Sequence, residues 1–196
     1  LNDKCFNVTL IGRLEKVKRP LFIFDILDKI SLKNNQKINI YFAGNGILRE
    51  NLIQKINEFN DFKRKNSNIN IEYLGFINRI QLLDLISNTN LYINTSYSEG
   101  CLVTAMEFLS NPFCEVILPR IKSIKDIYKC KRSSFYPIHD KNYLLNLFQD
   151  KLEKFYDNSK IKSSFSYPIN FEDFILENSS KILIDLYLSS ALKFKI

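Results

Sequence analysis

The sequence predicts an α/β fold, a parallel sheet with helices on both faces. Two observations carry that reading. Short runs rich in β-branched and aromatic residues alternate with longer runs of helical period, and a glycine or a polar cluster closes most of the short runs. Composition agrees: 45% hydrophobic and 25% charged residues are ordinary for a globular chain. Strands alternating with helices need right-handed crossovers, which place helices over both faces of one sheet.

The elements follow in order. "NVTLI" (Asn7 to Ile11) predicts a strand ended by Gly12. Pro20 sits where a first helical turn accepts proline, and "LFIFDILDKISL" carries a helical repeat through Leu32. "KINIYFAG" predicts a second strand running into Gly44 to Gly46, and "ILRENLIQKINEF" an amphipathic helix. "NINIEYLG" is a third strand closed by Gly75, followed by the helix "RIQLLDLISN". "LYIN" (Leu91 to Asn94), "EVIL" (Glu115 to Leu118) and "SSFYPI" complete the strands. Two longer helices are expected over Asp140 to Phe155 and Phe171 to Leu188, with a polar loop between them. The architecture is a doubly wound, Rossmann-like sheet, in which ligands lie beyond the carboxyl ends of the strands. The loops of interest are Gly12 to Lys18, Gly44 to Gly46, Gly75 to Arg79 and Thr95 to Leu102.

At 196 residues the chain fits one domain or half of a two-domain enzyme. No apolar run approaches the roughly 18 residues of a membrane span. The first residues lack the basic start and apolar core of a signal peptide. Leu1 is not an initiator methionine, so a fragment or processed chain is expected. Cys5, Cys101, Cys114 and Cys130 are scattered, with no C-x-x-C pair, and His139 is the single histidine. A reduced, cytoplasmic protein with few candidate ligands for a metal cluster is therefore expected. The net charge of +7 gathers in "KRKN" (Lys63 to Asn66) and "KSIKDIYKCKR" (Lys122 to Arg132). Neither patch interleaves aromatics as a base-stacking groove does, so nucleic acid is not an expected partner. A solvated basic face or an anionic lipid surface fits both.

Arg13 and Lys18 leave the first strand five residues apart, a planar fork and a mobile point charge that together suit phosphate oxygens. Alone, the pair fits an ordinary charged surface better. "AGNG" is a G-x-G without the remainder of a dinucleotide fingerprint, and no acid ends the second strand to hold a ribose. It permits a tight turn or close approach of a ligand to backbone. Glu99 and Glu107 are separated by seven residues at the expected start of a helix, or about 12 Å at about 1.5 Å per residue. That span suits the two ends of an elongated ligand. Gly100 opens the helix tip to a phosphate, and a diphosphate with a polyol on each side, as in a nucleotide sugar, matches the pattern. Two ordinary glutamates on a solvated helix are the alternative.

On these residues the sequence resembles the C-terminal, donor-binding domain of retaining GT-B glycosyltransferases, specifically glycosyltransferase family 4 of the bacterial surface-polysaccharide type. The resemblance covers nearly the whole chain, through "LIGRLEKVKRP", "YFAGNGILRENL", "IEYLGFINRIQLLDLISNTNLYINTSYSEG" and "TAMEFLS", and the tail over 171–196 is similar to the family's closing helix. Glu99 and Glu107 match its E-x7-E motif. The resemblance implies that Arg13 and Lys18 hold the donor diphosphate, that Glu99 contacts the donor sugar, and that N–H groups of Gly100, Cys101 and Leu102 add phosphate contacts. It further implies Glu107 on the ribose, Phe76 and Ile77 at the base, and Gly44 and Gly46 lining the same cleft. Retained configuration and no metal are implied as well.

The expected function is transfer of a hexose or N-acetylhexosamine from a UDP-sugar to a lipid-linked saccharide in O-antigen, capsule or related polysaccharide synthesis. That reaction is expected at the inner face of the bacterial plasma membrane. The acceptor-binding N-terminal domain is missing from this sequence, so the fragment alone is expected to be inactive. The sequence departs from the family in having no glycine in "FLSNPFCEVILPRIKSIKD" and in carrying Thr95 where a proline is usual. Two other functions fit the same residues: a sugar-nucleotide epimerase of GT-B shape, and a non-catalytic binding or interaction module.

Overall fold

The computed structural model describes residues 5–158 apart from 34, 64–67, 101, 126, 127 and 129. The expected closing helix and Cys101 lie outside the described residues. Six strands form one sheet: β1 (Cys5–Ile11), β2 (Lys37–Ala43), β3 (Ile69–Gly75), β4 (Leu91–Ile93), β5 (Glu115–Pro119) and β6 (Ser133–Tyr136). All pairs are parallel, in the order β3-β2-β1-β4-β5-β6. The helices are α1 (Phe24–Leu27), α2 (Arg49–Lys63), α3 (Arg79–Asn88), α4 (Val103–Ser110), α5 (Lys122–Lys125) and α6 (Lys141–Asn158).

Two buried clusters show which helices cover which face. Phe6, Val8, Leu10, Ile38, Ile40 and Phe42 pack with side chains of α1, α2 and α6, among them Ile26, Leu52 and Phe148. Tyr92, Val116 and Leu118 pack with Ile86 of α3, Phe108 of α4 and Ile124 of α5. The sheet is therefore doubly wound. Strand order reverses between β1 and β4, which opens a crevice at their carboxyl ends.

Local chemistry sets the element ends. Asn78 and Gln81 form a reciprocal capping box at the start of α3, with bonds of 2.9 and 2.8 Å. The helix expected through Leu32 is much shorter. A 3-10 turn with Pro20 in first position leads into α1, which stops at Leu27. Gln149 of α6 takes over the following backbone: its Oε1 accepts from Ser31 N–H at 3.2 Å and its Nε2 donates to the Ser31 carbonyl at 2.9 Å. Arg132, read from sequence as part of a basic patch, turns inward and donates to the carbonyls of Leu109, Asn111 and Cys114. A cation there complements the negative end of α4. Cys114 and Cys130 are free thiols, and burial pushes the Cys114 thiol up to about 12.

Candidate functional site

A cleft of about 220 Å³ occupies the switch point between β1 and β4. The loop after β1 supplies Gly12, Arg13, Leu14 and Lys18; the segment after β4 supplies Asn94 to Ser96 and Glu99; α4 supplies Leu102 to Thr104. At its centre is the Glu99 carboxylate, whose side chain is only 7% exposed. Its Oε1 accepts from Lys18 Nζ at 2.6 Å, Ser96 Oγ at 2.5 Å and Asn94 Nδ2 at 3.2 Å. A carboxylate removed from water needs such donors. Here they also fix one oxygen and the rotamer, and Ser123 of α5 holds the Glu99 carbonyl at 2.7 Å.

Arg13 also lines the cleft, at its rim. Its side chain is 70% exposed and meets Glu15 at 3.1 Å. An exposed pair of this kind is worth about 0–1 kcal/mol, so Arg13 can leave Glu15 for an incoming anion at small cost.

Arg19 joins the two loops. It is the only non-glycine with positive φ (47°) among the described residues and is just 9% exposed. Its Nε donates to the Thr95 carbonyl at 2.6 Å, while the Thr95 hydroxyl lies 2.9 Å from both the Lys18 and Arg19 carbonyls. The guanidinium sits between the rings of Phe22 and Tyr97, 4.1 and 4.0 Å from their centroids. These π faces attract a cation from which water has been removed. Tyr97 N–H donates to the Val17 carbonyl at 2.8 Å. Behind them Tyr136 donates to the Asn94 carbonyl at 3.2 Å, and its phenol is pushed up by burial against a smaller opposing effect of Arg19. Lys18 and Glu99, 81 residues apart in sequence, are thus held by a common scaffold.

The remaining sequence-predicted residues distribute differently. Leu102 lines the cleft, but its N–H donates to the buried Tyr128 hydroxyl at 2.9 Å and is not available to a phosphate. The first N–H groups of α4, those of Val103 and Thr104, have no partner within that helix. Gly100 has open space around it and is not part of the cleft wall. Gly44 and Gly46, expected to line the same cleft, stand outside its wall. A Cβ on Gly44 would lie 1.9 Å from the Gly12 carbonyl oxygen, and one on Gly46 2.6 Å from that of Leu14. Their missing side chains admit the neighbouring backbone rather than a ligand. Gly12 N–H to Ala43 O (3.0 Å), Leu14 N–H to Asn45 O (2.9 Å) and Leu48 N–H to Leu14 O (2.9 Å) then stitch the two loops together.

Glu107 lies outside the cleft wall and pairs with Arg79 at the start of α3. It stands three and four residues beyond Thr104 and Val103, on the same face of α4. Phe76, in the loop just before Arg79, is 81% exposed. Ile77 lines a different hollow, beneath α3.

Sequence reasoning missed Arg19, Asn94 and Ser96 as site-building residues. The polar run "NTS" directly after an apolar strand was a signal for the latter two. For Arg19 no local signal exists, because its partners beyond nearby Phe22 come from two distant segments, Thr95 to Tyr97 and Tyr136. Among the described residues no three His, Cys, Asp or Glu side chains gather as a metal-binding group.

No protein-family model and no curated protein sequence matches the chain. Solved structures do. The catalytic domain of cholesterol-α-glucosyltransferase from Helicobacter pylori superposes with TM-score 0.65 at 14% identity, covering 91% of this chain and 99% of that one. Alr3699/HepE of Anabaena, in complex with UDP and glucose, gives 0.63 at 14% identity over 95% and 48%. The pneumococcal O-GlcNAc transferase GtfA, in complex with UDP and GlcNAc, gives 0.59 at 15% identity over 97% and 36%. The chain thus spans nearly all of the first structure and half or less of the other two. It carries the parallel Rossmann-like fold of these glycosyltransferase structures.

Proposed function

We propose that the chain is the nucleotide-sugar-binding half of a retaining glycosyltransferase. The observation that carries this reading is the Lys18–Glu99 pair at the β1/β4 switch point, with Arg13 at its rim and the N–H groups of Val103 and Thr104, which have no partner within α4, at the cleft wall. A diphosphate placed there meets two cations and a helix start, all of which favour negative charge. Glu99 accepts hydrogen bonds from hydroxyls of the donor sugar. The base and ribose run along α4 toward Phe76 and Glu107, where Arg79 gives up Glu107 to the ribose hydroxyls.

In the proposed reaction an acceptor hydroxyl forms the new bond to the anomeric carbon on the face from which the nucleoside diphosphate departs. The hydroxyl proton is taken up by a leaving-group oxygen. Lys18 and Arg13 stabilise the charge that develops on that leaving group, preorganised electrostatics that need no metal. The bound UDP of the Anabaena and pneumococcal structures supports a UDP-linked donor. Family 4 membership, a hexose or N-acetylhexosamine donor and a lipid-linked surface-polysaccharide acceptor at the cytoplasmic membrane face are the finer parts of the proposal. They rest on the sequence resemblance.

Calorimetric titration with UDP, UDP-glucose, UDP-N-acetylglucosamine and GDP-mannose tests the reading. Saturable binding of UDP and at least one UDP-sugar is expected, weakened by Glu107→Ala with the fold intact. No saturable binding to any of the four refutes donor binding and favours an interaction module. In the complete enzyme, Glu99→Ala is expected to lower turnover far more than nucleotide affinity.

A further inference from the structure

The alternate residues of β1, β2 and β3 that face away from the large core come into register across the sheet. Asn7 stands beside Asn39 and Asn39 beside Asn70; one step on, Thr9, Tyr41 and Glu72 are aligned. Parallel strands are ordinarily covered and apolar on both faces. Here Asn39 and Tyr41 are half-buried and Asn70 and Glu72 exposed, so this part of the sheet is polar and open. Between it and α3 lies a hollow of about 480 Å³, whose wall includes Asn7, Tyr41 and Ile77 on the sheet side and Gln81, Asp84 and Asn88 on α3. It shares no wall residue with the β1/β4 cleft.

The lining selects a class of ligand. It contains no lysine or arginine, and its charged member is an acid, which disfavours phosphates and nucleic acid. The Gln81 amide N–H₂, the Tyr41 phenol and the Asp84 carboxylate, one oxygen of which also accepts from Asn88 Nδ2 at 3.2 Å, offer donors and acceptors of the kind that vicinal hydroxyls satisfy. Ile77 and the Tyr41 ring supply apolar surface for the C–H face of a pyranose. The volume falls within the range of about 300–1,000 Å³ typical of small-molecule sites.

Part of the wall is already fixed. Asn7 Oδ1 accepts from Asn39 Nδ2 at 3.0 Å, Asn7 Nδ2 donates to the Asn88 carbonyl at 2.9 Å, and Asn88 Nδ2 donates to the Asp84 carbonyl at 2.9 Å. Gln81 spends its Oε1 on the helix cap, which leaves its amide N–H₂. The Tyr41 hydroxyl has no hydrogen bond among the described residues. Burial, reinforced by Glu72, pushes its phenol up, so it remains a neutral donor.

We infer that this hollow binds a neutral saccharide, at a site separate from the β1/β4 cleft. The inference does not rest on the glycosyltransferase reading. The test is an amide-resolved NMR titration of the full chain with maltotetraose, cellotetraose and chitotetraose, paired with a UDP titration of the same sample. At least one saccharide is expected to bind saturably and to shift the amides of Asn7, Tyr41 and Gln81. Tyr41→Ala is expected to weaken that binding at least about fivefold, the equivalent of one lost hydrogen bond, and to leave UDP affinity unchanged. Asp84→Ala, at an exposed helix position, serves as the second variant should Tyr41→Ala fold poorly. Absence of saturable binding by all three saccharides overturns the inference. So does saccharide binding that survives both variants and is lost in Glu99→Ala, because it places the sugar in the cleft. The UDP titration reports on donor binding independently of either outcome.

Discussion

The loop after β1 and the loop after β2 leave neighbouring strands at the same end of the sheet and bond to each other, yet they do opposite work. The first, Gly12 to Arg19, turns Arg13 and Lys18 to the cleft and anchors itself to the β4 segment through Arg19. The second, Gly44 to Gly46, turns nothing toward the cleft; its absent side chains are the space into which the first loop fits. Glycines after a parallel strand can therefore serve a ligand site at one remove, by letting a charged neighbour approach.

Gly44→Ala strikes the buttress and carries the largest expected effect. Its Cβ overlaps backbone, and Gly44 has a φ of +129°, which L side chains rarely adopt. A loss of at least roughly 3 kcal/mol is expected in denaturant unfolding, strain and overlap together. A change below about 1 kcal/mol would show that the loops part easily and break the comparison. Gly100→Ala, which meets open space, is expected to stay within about 0.5 kcal/mol.

Arg19→Ala tests the anchor of the first loop. Removing the bond to the Thr95 carbonyl and both ring contacts is expected to cost roughly 2–3 kcal/mol, read in the same unfolding assay. Relief of the left-handed backbone offsets little of this, since alanine also disfavours positive φ. Arg19→Gly removes that strain and is expected to be the milder variant. Equal losses would assign the effect to the side chain alone.

Arg13→Ala gives the smallest stability change, within about 0.5 kcal/mol, because its partner Glu15 is a surface contact. Its effect belongs to the ligand. One charge-assisted bond of about 1.5–3 kcal/mol corresponds to a roughly 10- to 150-fold loss of UDP affinity by calorimetry. Unchanged affinity would return Arg13 to the ordinary surface.

Much of the fold was legible because it is written in local period and punctuation. β1 to β4 lie where β-branched runs end at Gly12, Gly44, Gly75 and Asn94, and α3 begins at a capping pair three residues apart. The helix expected through Leu32 stops at Leu27, and beyond it Gln149, more than a hundred residues away, takes both backbone groups of Ser31. The convergence of Arg13, Lys18 and Glu99 on one cleft was legible because each follows a strand at the switch point. The role of Gly44 was not. A glycine's sequence context reports freedom to turn and says nothing about which backbone will occupy the vacated space. Glu107 shows the same limit, since its partner Arg79 comes from another helix.

The central claim is that Lys18 and Glu99 frame a diphosphate site, and Lys18→Met tests it most directly. The side chain is nearly isosteric with lysine and lacks the charge, and thermal unfolding can confirm that the variant remains folded. Calorimetric titration with UDP is expected to show affinity reduced roughly 10- to 150-fold, the equivalent of one charge-assisted bond. A folded Lys18→Met protein that binds UDP as tightly as the parent would contradict the account.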